Sequence, residues 1–417
     1  MNDATPRRRS ARIVGGSLGG LFAANLLHRA GWDVRVYERV AGELAGRGAG
    51  IVTHPELFRA LEQCGIAIDA SIGVAVTSRV TLAPDGSVLG RLEVPQVLTA
   101  WGRLYHLLRS HLPESGYFNG VHVDAVEDSA QAACLRFADG RTEEADLVIA
   151  ADGIRSTLRQ QLLPEVKPEY AGYIAWRGLV EESDLSAATR EAIFDKFAFC
   201  LPPHEQMLGY PVAGIGNTVA PGHRRFNFVW YRPAAEHGAL ADLLTDAAGK
   251  RHEGGIPPQC IRPEVIRAMH DEADRVLAPQ FAEVIHKTVQ PFFQPIFDLC
   301  SPKLAFGHIA LLGDAAFVAR PHCGMGVTKA AGDAAALVAA LAAATDVPAA
   351  LLDYERERVA FGDAVVNHAR HLGAYMQAQL RTADERAMAE RYRTPEAVML
   401  ETASSRAFEA RRHLVHA

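Results

Sequence analysis

Apolar and polar positions along this chain switch between a helical and a strand period. Ala11 to Val14 is a short apolar run, Leu21 to Ala30 has helical spacing, and Asp33 to Tyr37 returns to alternation, so the N-terminal stretch reads as a βαβ unit. Between about Val76 and Val97, two alternating runs flank Pro84-Asp85-Gly86, the turn chemistry of an antiparallel hairpin. A helical period covers Leu104 to Leu112, and a second hairpin is expected where Cys134 to Phe137 meets Ala138-Asp139-Gly140. Leu147 to Ala150 has no polar residue, as a buried parallel strand would. Strand-like segments at Ile174 to Arg177, Met207 to Val212 and Phe226 to Tyr231 predict a mainly antiparallel sheet. After a loop at Gly254 to Pro258, Ile309 to Leu312 leads through a glycine-rich turn into an alanine-rich helix from about Ala330 to Ala344. The remainder from about Leu351 is helical in composition.

These elements place the chain in the α/β class. A Rossmann-like domain is expected over residues 1–74, 98–165 and 299–375, and a second, mainly antiparallel-sheet domain over 75–97 and 166–298. Residues 376–417 form a C-terminal helical segment. At 417 residues and 49% hydrophobic, the chain is longer than one compact domain usually needs. Lys and Arg number 43 against 49 Asp and Glu, and the net charge of -6 gives no electrostatic reason to expect nucleic acid or an anionic membrane. Arg7-Arg8-Arg9 is followed by no apolar stretch of signal-peptide type, and the alanine-rich helix carries Lys329 and Asp333, so neither a signal peptide nor a membrane span is expected. The six cysteines form no CxxC pair, which argues against a zinc site or a disulfide framework and favours a reducing cytoplasm.

Three motifs carry chemistry. Gly15-Gly16-Ser17-Leu18-Gly19-Gly20 sits between strand and helix, where a dinucleotide pyrophosphate meets a helix N-terminus, with Ser17 at the middle glycine position. Glu38 ends the second strand, where a carboxylate can accept from ribose hydroxyls. The same segment reads as a G-x-S-x-G nucleophile elbow, but only sixteen residues precede Ser17, too few for the machinery of an α/β-hydrolase. Asp152-Gly153-Ile154-Arg155 follows a buried strand and by itself is a turn with a helix cap. Gly313-Asp314-Ala315-Ala316, with Pro321, Gly324 and Gly326 before a helix, lets backbone approach a flat ring, offers Asp314 to polyol hydroxyls and aims a helix N-terminus at the bound group.

Together these motifs resemble the flavoprotein aromatic hydroxylases of the p-hydroxybenzoate hydroxylase fold, over nearly the whole chain. The resemblance implies non-covalent FAD, NADH or NADPH as co-substrate, and hydroxylation of a small electron-rich ring with O₂ through a flavin C4a-hydroperoxide. By position, it assigns Gly15, Ser17, Leu18, Gly20, Glu38 and Arg39 to the ADP half of FAD and Arg47 to a flavin-contacting loop. Asp152 and Arg155 fall to FAD and the reduced nicotinamide, Asp314 to the ribityl chain, and Pro321, Gly324, Gly326 and Val327 to the flavin ring. Trp101, Phe317 and Thr328 replace the arginine, histidine and asparagine usual in the family. Tyr170-Ala171-Gly172-Tyr173, Trp176-Arg177-Gly178 and Arg320-Pro321-His322 are similar to hydroxylases of N-heteroaromatic rings, dihydroxypyridines among them; a phenolic substrate is the alternative.

In such a reaction the ring reacts faster when its hydroxyl is ionised, so His322, His54 and Tyr210 are the candidates to orient or deprotonate it. The expected partners are the aromatic substrate, NAD(P)H and O₂, with a homodimer as the candidate assembly. A flavin halogenase would carry W-x-W-x-x-P, which is absent, and a non-catalytic flavoprotein would not need the Asp152-Gly153 motif.

Overall fold

A computed structural model describes residues 8–44 and 50–408; Arg47 lies outside them. The first layer is a sheet of six strands in the order Ala305–Phe306, Ile309–Leu311, Leu147–Ala150, Ser10–Val14, Asp33–Glu38 and Tyr117–Asn119. All neighbours run parallel except the outermost pair, Ala305–Phe306 with Ile309–Leu311. Ile13 pairs with Ile149 on one side and Val36 on the other, and all three are fully buried, which explains runs without polar residues. The helix Leu18–Arg29 packs on the alanine-rich helix, which spans Gly326–Ala343, and that helix packs in turn on Val347–Gly373. Gly20 permits the first helix to lie close to its strand, because a Cβ there would collide with the Gly15 carbonyl.

The second layer is a nine-stranded sheet in the order Phe317–Val318, Phe292–Cys300, Glu169–Glu181, Arg225–Pro233, Gln206–Val212, Lys196–Cys200, Val74–Leu82, Val88–Ala100 and Gly50–Val52. Only Lys196–Cys200 with Val74–Leu82 is parallel. The sheet takes in Gly50–Val52 and the end of Val88–Ala100, so it extends across the expected boundaries near 74 and 97. Strand alternation divides its residues. Ile174, Trp176, Phe226, Phe228 and Trp230 pack against Met269, Phe281 and Ile285 of two helices, Pro263–Val276 and Pro279–Lys287, which the sequence reading leaves unassigned. Tyr173, Ala175, Tyr210, Val229 and Tyr231 pack on the opposite face with Val52, Cys323 and Met325.

The C-terminal helices Ala383–Tyr392 and Pro395–Glu401 close over that second face. Buried Arg79 ties them down by donating to the carbonyls of Met399, Thr402 and Ala403. Among the described residues one helix, Gly326–Ala343, is long and apolar enough to cross a bilayer, where the sequence reading expects none. It contains the buried Lys329–Asp333 ion pair and packs between neighbouring helices, as a core helix does.

Candidate active site

Two cavities join into one groove between the layers. One of about 300 Å³ is lined by Gly15, Ser17, Glu38, Arg39, Trp101 and Asp152. The other, about 1060 Å³, is lined by Ser17, Leu18, Trp101, Arg177, Asp314, Gly326 and Val327 among others. They share Ser17, Trp101, Ala151 and Gly153, so the groove runs from the end of Asp33–Glu38, across the N-terminus of the first helix, to the N-terminus of Gly326–Ala343. A third cavity of about 820 Å³ meets it at Asp314 and contains Arg155 and Pro321.

Each motif is shaped by its local packing. Gly15 has φ +108°, and a Cβ there would strike the Ala151 carbonyl; one at Gly16 would strike the Tyr117 hydroxyl. Ser17 is the N-cap of the first helix, yet its side chain makes no capping bond, which leaves that N-terminus open to the groove. Glu38 is buried and accepts from Gly16 N at 2.9 Å and Val40 N at 2.9 Å. A carboxylate has lone pairs for further donors, so the role expected of Glu38 is sterically and chemically open.

Asp152 Oδ2 accepts from Thr157 N at 2.8 Å, whereas its buried Oδ1 has no partner. Thr328, in the first turn of Gly326–Ala343, likewise has a buried, unpartnered Oγ1. Around Gly153 and Gly326 no atom would meet an added Cβ within 4 Å. Open helix N-termini, the orphaned Asp152 oxygen and bare glycines along one groove fit a flavin dinucleotide.

Asp314 is exposed to the groove from a turn held by a buried charge cluster. Lys329 Nζ donates to Gly313 O at 3.0 Å, and Asp333 Oδ2 accepts from Gly313 N at 3.2 Å and Lys329 Nζ at 3.1 Å. Arg358 Nε donates to Asp333 Oδ1 at 2.8 Å. The sequence reading takes Lys329 as a polar break and Asp333 as a break and part of the third motif, without pairing them; their i, i+4 spacing is the signal that could have done so.

The other expected residues are placed differently. Arg155 is exposed and donates to Glu253 O at 2.9 Å, which puts it in the third cavity rather than along the groove. Gly324 adopts φ +65°, and an added Cβ would face Ala403 and Val52. Pro321 is exposed in the third cavity.

His322 points away from the groove into the core. Its Nε2 lies 2.7 Å from the Tyr173 hydroxyl and its Nδ1 lies 3.2 Å from Gln206 Oε1. Burial, then Arg320 and Arg177, hold its pKa well below the ordinary histidine value. With both ring nitrogens engaged and only 1% of its surface exposed, it has no free site for a substrate proton, contrary to its expected place beside the ring. His54 Nε2 lies 3.2 Å from Gly324 O, where it supports the loop. Tyr210 is buried against Phe197 and Gly50, and burial raises its phenol far above the ordinary value, so it stays protonated.

A parallel βαβ layer whose helix N-termini line one dinucleotide-sized groove, roofed by a mainly antiparallel sheet, defines an FAD-dependent oxidoreductase. The comparisons specify which kind. The chain is 31% identical over 374 residues to 2,6-dihydroxypyridine 3-monooxygenase of Paenarthrobacter nicotinovorans, covering 89% of this chain and 93% of that one. It is also 31% identical to 3-amino-4-hydroxybenzoate 2-monooxygenase of Streptomyces cremeus, covering 86% of each. The solved structure of 2,6-dihydroxypyridine-3-hydroxylase from Arthrobacter nicotinovorans matches with a TM-score of 0.83 at 30% identity, covering 91% of this chain and 96% of that one. A family model described as FAD binding domain-like matches residues 170–298, the heart of the antiparallel sheet rather than the glycine turn. The chain belongs to the FAD-dependent aromatic hydroxylases of the p-hydroxybenzoate hydroxylase fold.

Proposed function

We propose that this chain adds a hydroxyl group to a small, already hydroxylated N-heteroaromatic ring of the hydroxypyridine type. NADH or NADPH serves as reductant, and O₂ supplies one oxygen atom to the ring and one to water. The observation that carries this reading is the groove's end, where Gly326–Ala343 presents its N-terminus to the same cavity as Arg177 of the antiparallel sheet. The relatives named for a dihydroxypyridine and an aminohydroxybenzoate support a ring with an ionisable hydroxyl. The six-stranded layer is then the dinucleotide unit and the nine-stranded sheet the substrate unit.

When bound, FAD supplies hydride acceptance and oxygen activation. The protein's contribution is placement. Gly15, Ser17 and Leu18 would hold the pyrophosphate at the first helix N-terminus, which Gly20 lets lie close to its strand; Glu38 and Arg39 would flank the adenosine end, and Asp314 would take the polyol hydroxyls. Gly326 and Val327 would present a second positive helix end to the flavin ring, where it would favour negative charge. Asp152 keeps one oxygen free beside that path. His54 and His322 act as positioning residues, one on Gly324 and one on Tyr173 and Gln206, while Pro321 and Arg155 border the adjoining cavity. The six unpaired thiols support a cytoplasmic setting.

A screen of hydroxypyridines, hydroxypyridine carboxylates and simple phenols for stimulated NAD(P)H consumption, with products identified by mass, tests the reading. Stimulation by a hydroxypyridine with a product heavier by one oxygen supports it. Stimulation by phenols alone would move the substrate class.

A further inference from the structure

The buried arginines of this protein are paired. Arg12 meets Asp33 and Glu143, Arg224 meets Glu182 and Asp195, Arg320 meets Asp298, and Arg358 meets Asp333. Arg79 and Arg159 donate to backbone carbonyls. Arg177 is the contrast: half-buried, it forms no hydrogen bond or ion pair among the described residues, and its Nε is shut off from solvent without a partner. Nε thus loses its hydration without a partner, while the half-buried side chain keeps its remaining guanidinium donors unused by the protein and available to a ligand.

Its place in the sheet says what that is. Arg177 sits opposite Val229 on one side and Phe292 on the other, on the face that looks into the groove, and it lines the same cavity as Asp314, Gly326 and Val327. One register step along, Leu179 pairs with Asn227, and Asn227 pairs in turn with Tyr210. Asn227 Oδ1 accepts from Gly50 N at 3.1 Å, and its buried Nδ2 has no partner, but Asn227 does not line the cavity. The titratable groups that sense the Arg177 charge are the Tyr210 and Tyr231 phenols and the His322 imidazole. Burial keeps all three neutral, so none is a counter-ion. The same cavity is also lined by Asp314, Glu181, Asp184, Arg225 and Lys287, none of which pairs with Arg177.

We propose that Arg177 selects the substrate in its ionised form, binding the ring-oxygen anion of a hydroxylated N-heteroaromatic within this cavity. The inference rests on the reading above and deepens it. The ring hydroxyl gives its proton to water before binding, and the guanidinium then stabilises the anion, so no histidine base is required in the site. This accounts for a groove in which His322 has no free nitrogen. It also favours rings acidic enough to ionise near neutral pH over simple phenols, which ionise near pH ~10, as tyrosine does.

The test is calorimetric titration of the FAD-loaded enzyme with 2,6-dihydroxypyridine across pH, with 2,6-dimethoxypyridine as a ring that cannot ionise. For the parent, affinity should tighten as pH rises through the ligand's own ionisation, and the bound ligand should show the ultraviolet spectrum of its anion. Arg177→Met should weaken anion binding by about 10–100-fold, the scale of losing one charged hydrogen bond, and flatten the pH profile. Arg177→Lys keeps the charge and should keep the preference for the anion. Dimethoxypyridine should bind the parent and both variants alike. Equal affinity and an unchanged pH profile in Arg177→Met would overturn the inference and leave the hydroxylase reading standing. Loss of the anion preference in Arg177→Lys to the same extent as in Arg177→Met would also overturn it. A parent enzyme that binds no hydroxylated ring at any pH would remove the proposed function, and this inference with it.

Discussion

Replacing Asp333 with asparagine tests how the turn that presents Asp314 is held. The side chains of Lys329, Asp333 and Arg358 are 1%, 2% and 7% exposed, so the substitution removes the carboxylate both cations share and leaves Arg358 only its 3.4 Å contact with half-exposed Glu357. Asparagine has nearly the same shape, but its amide nitrogen would face donors, since Lys329 Nζ, Gly313 N and Arg358 Nε all donate to Asp333. Breaking a buried ion pair by removing one partner costs about 3–5 kcal/mol, a large share of the ~5–15 kcal/mol that stabilises a typical domain. Urea unfolding at pH 7.5, followed by circular dichroism, should show that loss, and released FAD measured by fluorescence should rise in parallel. The acid limb should change as well. Burial alone would raise the Asp333 pKa, but Lys329 and Arg358 hold it below the ordinary value. Its contribution is therefore complete above an unfolded-state pKa of about 4 and is lost as pH falls through the lower folded value; Asp333→Asn should lack this dependence. A loss under ~1 kcal/mol with unchanged FAD retention would refute the cluster's role.

The remaining expectations concern the cofactor and the loop before Gly326–Ala343. Acid precipitation of the purified protein should release its FAD into the supernatant, and flavin that stays in the pellet would mean a covalent bond. Asp314→Ala should weaken FAD binding by on the order of 1–3 kcal/mol through the lost polyol contact, and unchanged affinity would leave Asp314 as part of the turn alone. His322 stays neutral in the fold while an unfolded chain takes up its proton below about pH 6.5, so parental stability should fall, by up to ~1.4 kcal/mol per pH unit, on acidification from that point. His322→Asn should be less stable at pH 7.5 yet lose that slope in urea melts. A slope that survives the substitution would assign the titration to another group.

The βαβ unit was readable because a parallel core leaves three signals at once: runs without polar residues, a glycine turn where helix and strand nearly touch, and a carboxylate at the second strand's end. The hairpin around Pro84-Asp85-Gly86 and the strands Gln206–Val212 and Arg225–Pro233 were readable for the same local reasons. Side-chain direction was not. Pro321–Cys323 forms a single tight turn that aims His322 into the core beside Tyr173, and no local periodicity announces the choice. Trp176 and Arg177 are adjacent, so they must lie on opposite faces of a strand, but the sheet and its neighbours decide which one faces the groove. Arg177 was quoted only for resemblance, although an arginine within an apolar strand is itself a signal. The helices Pro263–Val276 and Pro279–Lys287 do carry an apolar stripe, and each begins with a proline at its first position, which could have placed them.

The central claim is that this groove places one atom of molecular oxygen on a hydroxylated N-heteroaromatic ring. The most direct measurement is turnover of 2,6-dihydroxypyridine by the FAD-loaded enzyme with NADH or NADPH under ¹⁸O₂, with the product read by mass spectrometry. The account predicts ring-stimulated NAD(P)H consumption and a product carrying one ¹⁸O atom. Consumption that the ring leaves unchanged, or a product whose new oxygen comes from water, would contradict it.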